Sequence, residues 1–186
     1  MRLPAETLFL AVPGNHDVDR EKVSELVSLQ RFVKDGQVDK FLESKEKGMQ
    51  DFIHVKFNVF REFCQFLNPD LYSTQTDYFW VKNMEEKHVS FLGLNSAWAS
   101  EGDEDRFNIA LGYPQVAAAL GQATMPHKIA LMHHPASNWL KDLETGKSGV
   151  ELFKHCSLLL YLFTSLPPNE EVLVSGEWRS GGVEEW

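Results

Sequence analysis

Leu8-Phe9-Leu10-Ala11-Val12-Pro13-Gly14-Asn15-His16-Asp17 is the stretch on which the reading of this chain turns. Its first five residues form an apolar run of the length and composition of a buried parallel strand. Pro13 and Gly14 break that strand, and glycine supplies backbone angles that other residues avoid. Three polar side chains, Asn15, His16 and Asp17, then follow at the strand's carboxyl end. In open α/β sheets that edge is where ligands bind.

A second stretch has the same design. Lys128-Ile129-Ala130-Leu131-Met132 is a short apolar run ending in His133-His134-Pro135, with Pro135 restricting the chain's exit. If both runs are parallel strands of one sheet, their loops share an edge and converge. A histidine pair by itself is most simply a satisfied core or surface pair. A second histidine-bearing loop in matching context shifts the balance toward a functional site.

These residues resemble the calcineurin-like metallophosphoesterase family, whose members carry a Gly-Asn-His-(Asp/Glu) loop and later a His-x-Pro loop. Gly14-Asn15-His16-Asp17 and His133-His134-Pro135 correspond to them. Phe91 to Trp98 is similar to the family's mid-sheet strand and loop, and Leu111-Gly112-Tyr113-Pro114-Gln115 to the approach to the His-x-Pro strand. The likeness spans about residues 7 to 140. It implies an α/β sandwich of two sheets flanked by helices, with residues 1–186 forming one incomplete domain carrying a helical insertion at about 19–67. It also implies two divalent metal ions of the Mn, Fe, Zn or Mg class. Asn15 and His133 would be metal ligands. His16 would face the phosphate and assist the leaving group, and Asp17 would accept its other ring N–H. His134 would point elsewhere, toward the substrate.

Several of the family's blocks are not found. Its site begins with Asp-x-His and Gly-Asp, and neither is among the thirteen residues that precede Gly14. The later Gly-His-x-His block is also missing, since no Gly-His pair occurs in the chain. Ser157 to Thr164 and Val172 to Arg179 are the two places that correspond to it by position. The second supplies Gly176, with Glu177 and Arg179 where histidines are expected. An arginine offers no lone pair to a metal, so Glu177 is the first substitute ligand. The chain therefore reads as an N-terminally truncated phosphoesterase with an altered tail.

Composition sets outer bounds. The 186 residues suit one domain, and 43% apolar with 24% charged residues is ordinary for a globular chain. A formal net charge of −9 argues against a bulk electrostatic hold on nucleic acid or anionic membrane. It leaves room for a phosphate-ester substrate, because bound dications reverse the local sign. The two cysteines, Cys64 and Cys156, form neither a disulfide framework nor a metal-type spacing. No run of eighteen apolar residues would span a membrane, and the start lacks a signal peptide's pattern. The expected compartment is the cytoplasm.

Between the two loops the periodicity predicts a helical stretch from about Asp19 to Val33 and a longer helix from about Gly48 to Leu67. The latter's apolar stripe of Phe52, Ile53, Phe57, Phe60, Phe63, Cys64 and Leu67 reads as core or the underside of a lid. Tyr78 to Val81 and His88 to Leu94 read as an antiparallel strand pair. Glu101 to Arg106 reads most simply as a solvated acidic connection, with carboxylates near a metal edge as the lesser, functional reading. Pro114 opens a short helix ending at Gly121. Val172 to Val174 suggests a late strand, and Arg179 to Trp186 has no clear pattern. His54, His88, His127 and His155 read as structural or solvated.

The function expected from this reading is metal-dependent hydrolysis of a phosphomonoester or phosphodiester by a metal-bound hydroxide, weak or absent in this chain with so few ligand blocks. The alternative is a non-catalytic, degenerate phosphoesterase fold acting as a binding module. Many substrates share this fold, so the fold does not choose among them.

Overall fold

The chain is α/β. The computed structural model describes residues 8–25, 28–44, 47–72, 78–102, 105–135, 139–141, 154–161 and 175–177. Five strands, β1 (Phe79–Met84), β2 (Val89–Leu94), β3 (His127–Met132), β4 (Leu158–Tyr161) and β5 (Ser175–Glu177), form one sheet in the order β1-β2-β3-β4-β5. β1 and β2 are antiparallel, joined through a 3-10 turn at Glu85–Lys87. The expected hairpin is present, although its second strand starts one residue late. His88 adopts the left-handed region (φ 54°) and turns the chain into β2 rather than belonging to it. β2, β3 and β4 are parallel, and β5 returns antiparallel to β4. The β2–β3 crossover contains α7 (Tyr113–Gln122), which begins with Pro114 in its first turn.

Side chains alternate across each strand, and both faces of this sheet are covered. Phe79, Leu92, Leu94, Ala130 and Met132 face one way, into a core shared with Val116 and Ala119 of α7. Helices α2 (Gln30–Lys34) and α3 (Val38–Glu43) complete that layer through Val33, Val38 and Phe41. Trp80, Phe91, Ile129 and Leu131 face the other way, against Cys64 of α5 (Asn58–Leu67) and Leu71 and Tyr72 of α6 (Pro69–Tyr72).

The predicted first strand is not one. Residues 8–14 form no ladder with a neighbouring strand among the described residues. Side chains take up its backbone groups instead. The Ala11 N–H donates to the Tyr72 hydroxyl (2.6 Å), and the Ala11 carbonyl accepts from Tyr72 Oη (3.1 Å) and Trp80 Nε1 (2.7 Å). Asn68 Nδ2 donates to the Phe9 carbonyl (3.2 Å). An extended segment whose polar groups are satisfied by aromatic hydroxyl and indole groups needs no partner strand.

The predicted helices divide further than the periodicity suggested. α1 (Arg20–Glu25) and α2 occupy the first stretch, and α3 lies within the helical insertion expected at about 19–67, after the break at Asp35-Gly36. The long helix is α4 (Lys47–Lys56) and α5, separated at Phe57, whose φ of −114° and ψ of 20° lie outside the helical region. Pro69 ends α5, yet it also opens the short α6, because proline fits a first helical turn. The stripe is core on one side only: Ile53, Phe57 and Cys64 are buried, whereas Phe63 is 55% exposed. Val172 to Val174 and Arg179 to Trp186 lie outside the described residues. No helix among the described residues is long and apolar enough to cross a membrane.

Candidate functional site

Three loops meet at the carboxyl ends of β2 and β3: residues 13–17, 95–100 and 133–135. Asn15–Asp17 forms a 3-10 turn. The Asp17 carboxylate accepts the Gly14 N–H at 2.8 Å, and the Asp17 N–H donates to the Gly14 carbonyl at 3.1 Å. This closed turn holds Asn15 outward toward the β3 loop. Gly14 itself has φ −108° and ψ 179°, extended backbone open to any residue. The expectation that glycine serves here for unusual angles is therefore corrected. The reason for glycine is contact: a Cβ at Gly14 would sit 2.8 Å from Cε1 and Nδ1 of His133.

That close approach brings together residues 118 positions apart. His133 Nε2 lies 3.1 Å from Asn15 Oδ1, and the His133 side chain is buried. The two loops share one edge although residues 8–12 are not a strand. His16 is exposed and lines an open groove with Asp17 and Asp19. Among the described residues no hydrogen bond joins Asp17 to His16; the Gly14 N–H holds one of the carboxylate oxygens.

His134, expected to face the substrate, turns inward and is buried. The Ser96 hydroxyl accepts its backbone N–H at 3.0 Å and lies 3.0 Å from its Nδ1. Among the described residues Nε2 has no hydrogen-bond partner, and Trp139 packs on the ring at 5.1 Å between centroids. Burial first, and then the neighbouring His133, push the His134 pKa down to about 3, against the Ser96 bond. The ring is neutral at physiological pH and anchors the loop that presents His133. Ser96 was not singled out as a site residue. Its only sequence signal is a polar Asn95-Ser96 pair directly after the apolar β2 run.

The acidic connection is also not a simple solvated loop. Asp105 is buried, accepting from Gln30 Nε2 (2.9 Å) and from the Glu101 N–H (2.9 Å). Glu101 in turn accepts from the Ser28 hydroxyl and the Gln30 N–H. Lys56, 1% exposed, donates from Nζ to the Trp98 carbonyl at 2.9 Å. Burial lowers its pKa to about 8, opposed by the negative charges of Glu101 and Asp105. These residues tie α2 and α4 to the loop after β2.

The donor set is right in type for a divalent cation, pairing an amide oxygen with an imidazole nitrogen. Its 3.1 Å spacing is also close to that of two ligands sharing one ion at bonds of roughly 2.1 Å. Two ligands are fewer than the three or four such sites use. Among the described residues no group of three His, Cys, Asp or Glu side chains is placed to hold a metal ion. Glu177 stands opposite Leu159, whose β3 partner is Ala130, so its backbone is level with a point three residues before His133. About 3.3 Å per residue puts it well below the loop edge, where Ser175 is the β5 residue nearest.

No family model, curated protein or solved structure matches this chain.

Proposed function

We propose that the chain is a metallophosphoesterase-type domain, built on the two-sheet sandwich of that class, that hydrolyses a phosphate ester slowly. The observation that carries the reading is the 3.1 Å approach of His133 Nε2 to Asn15 Oδ1. Residues that the sequence resemblance pairs at one site are neighbours across 118 positions. Asn15 and His133 would hold a divalent cation, which supplies Lewis acidity toward a phosphoryl oxygen and ionises water near neutral pH. His16, exposed on the adjoining groove, donates a proton to the leaving-group oxygen. Asp17 holds the turn that carries both Asn15 and His16. Weak activity follows from the donor count, because two protein ligands compete poorly with water for the cation.

A second reading, a non-catalytic module that binds phosphate or a partner on the same edge, is favoured by the lack of a three-residue ligand group among the described residues. The test is hydrolysis of an aryl phosphomonoester and an aryl phosphodiester in excess manganese, with cation binding measured by calorimetry. The enzyme reading expects metal-dependent turnover that His133→Ala abolishes together with cation binding. It also expects His16→Ala to lower turnover about a hundredfold with cation affinity unchanged. Cation or phosphate binding without turnover supports the binding module. Absence of both overturns the two readings together.

A further inference from the structure

The groove that His16 lines has two unlike walls. One carries His16, Asp17 and Asp19, with the buried Val18 and Lys56 also lining the groove and the Lys56 Nζ committed to the Trp98 carbonyl. The other is α5, with the exposed Val59 and Phe63 and the half-buried Phe60. The groove encloses ≈ 400 Å³, within the size range of small-molecule sites. Val59 and Phe63 are 70% and 55% exposed, an unusual cost for side chains of an α5 whose other side packs well. Phe9 meets Phe63 edge-on at 6.0 Å between centroids, which fixes the ring as a wall of the groove. Asp19 accepts the Glu21 and Lys22 N–H groups through Oδ1, so its carboxylate is held in place by α1.

We propose that this groove is a binding subsite for a planar aromatic ring bearing a hydrogen-bond donor, with Phe63 as the ring contact and Asp19 as the acceptor. A ring stacks on or against Phe63 and Phe60, where a flexible aliphatic chain would lose more rotational freedom for the same area. A donor on the ring edge meets the Asp19 carboxylate, which α1 holds in place and which offers nothing to a pure hydrocarbon. The groove abuts the Asn15–His133 edge through His16. A ring seated there is thus the leaving group of the ester, a role that rests on the phosphoesterase reading. Binding of the ring alone does not.

The experiment titrates the full chain by two-dimensional amide NMR with indole, N-methylindole and cyclohexanol, and separately with methylphosphonate in excess magnesium. Indole is expected to give saturable shifts at His16, Val59, Phe60 and Phe63. N-methylindole should bind about tenfold more weakly for loss of the charged hydrogen bond, and cyclohexanol should not saturate. Phe63→Ala should weaken indole about fivefold. Asp19→Asn, which still caps α1, should remove most of the difference between indole and its N-methyl derivative. Indole shifts that fail to saturate, or that centre on exposed Phe66 and survive Phe63→Ala unchanged, overturn the subsite. Methylphosphonate shifts at Asn15 and His133 report on the phosphoesterase reading alone. Ring binding without them leaves the subsite standing and sinks that reading, and the reverse result does the opposite.

Discussion

Gly14 lies so close to the His133 ring that a methyl group has nowhere to go. Gly14→Ala would place Cβ 2.8 Å from two ring atoms, so His133 must swing away from Asn15. Its backbone angles suit alanine, so the cost comes from overpacking, about 1–3 kcal/mol. The expected result is a folded variant with lowered denaturation midpoint, a changed His133 ring resonance and no cation binding. The cysteines make a contrasting case, since both are buried free thiols. Cys64 is fully buried and Cys156 nearly so, and burial raises their thiol pKa values to about 12 and about 11. Both should resist a thiol reagent at pH 8 in the native chain and react within minutes once urea unfolds it. A fast native reaction at either would show that its helix or loop opens.

At the scale of elements, Gly93, Trp80 and Tyr72 connect the sheet to the site. Trp80 stands directly across from Gly93 in the β1–β2 ladder, and a Cβ at Gly93 would lie 1.9 Å from the indole. With glycine there, the ring lies across β2 and its Nε1 reaches the Ala11 carbonyl. Tyr72 of α6 grips the same residue through both its N–H and its carbonyl. Trp80→Phe should cost about 1 kcal/mol, because Tyr72 still satisfies the carbonyl. Adding Tyr72→Phe should cost more than the sum of the single changes, since both Ala11 backbone groups then lose their partners. A urea double-mutant cycle measures the coupling, and faster amide exchange at Ala11 shows where it acts. Strict additivity would mean that residues 8–12 are held by their apolar contacts alone.

For the whole molecule, four buried groups among the described residues, Lys56, Cys64, Cys156 and Tyr72, shape how stability varies with alkaline pH. Lys56 has a folded pKa of about 8, below its ordinary 10.5. The unfolded chain therefore holds more protons between these values, and stability rises with pH through that window. Cys64 and Cys156 have folded values above their ordinary 9.0, so the unfolded chain loses protons first and stability falls above pH 9. Below pH 9 Lys56 dominates among these four, and the gain from pH 8 to 9 is at most about 1.4 kcal/mol. Above pH 9 two thiols oppose one amine, and above pH 10 the Tyr72 phenol, whose pKa burial pushes above its ordinary 10.0, deepens the fall. Denaturation midpoints should peak near pH 9, and Lys56→Met should flatten the rise while leaving the fall. A midpoint that falls steadily from pH 8 would show that Glu101 and Asp105 hold the Lys56 ammonium better than its burial disfavours it.

By itself the sequence determined the parts that depend on close neighbours along the chain. The β1–β2 hairpin, the β3 run, α7 after Pro114 and the inert setting of Cys64 follow from local period and composition, which record how a segment meets water and core. So does the placement of Asn15, His16, Asp17 and His133 in loops. The tertiary structure decided whatever depends on partners far along the chain. Leu8 to Val12 has a strand's composition, but Tyr72 and Trp80 claim its backbone groups, and no local pattern contains that competition. Asp105 has a surface residue's composition and is buried because Gln30 arrives from 75 positions away. His134 and His133 are adjacent in sequence, yet Ser96 draws one inward while Gly14 leaves room for the other to reach Asn15. Hydrogen-bond satisfaction and steric room are settled among all groups that meet in space, and only the folded chain brings those groups together.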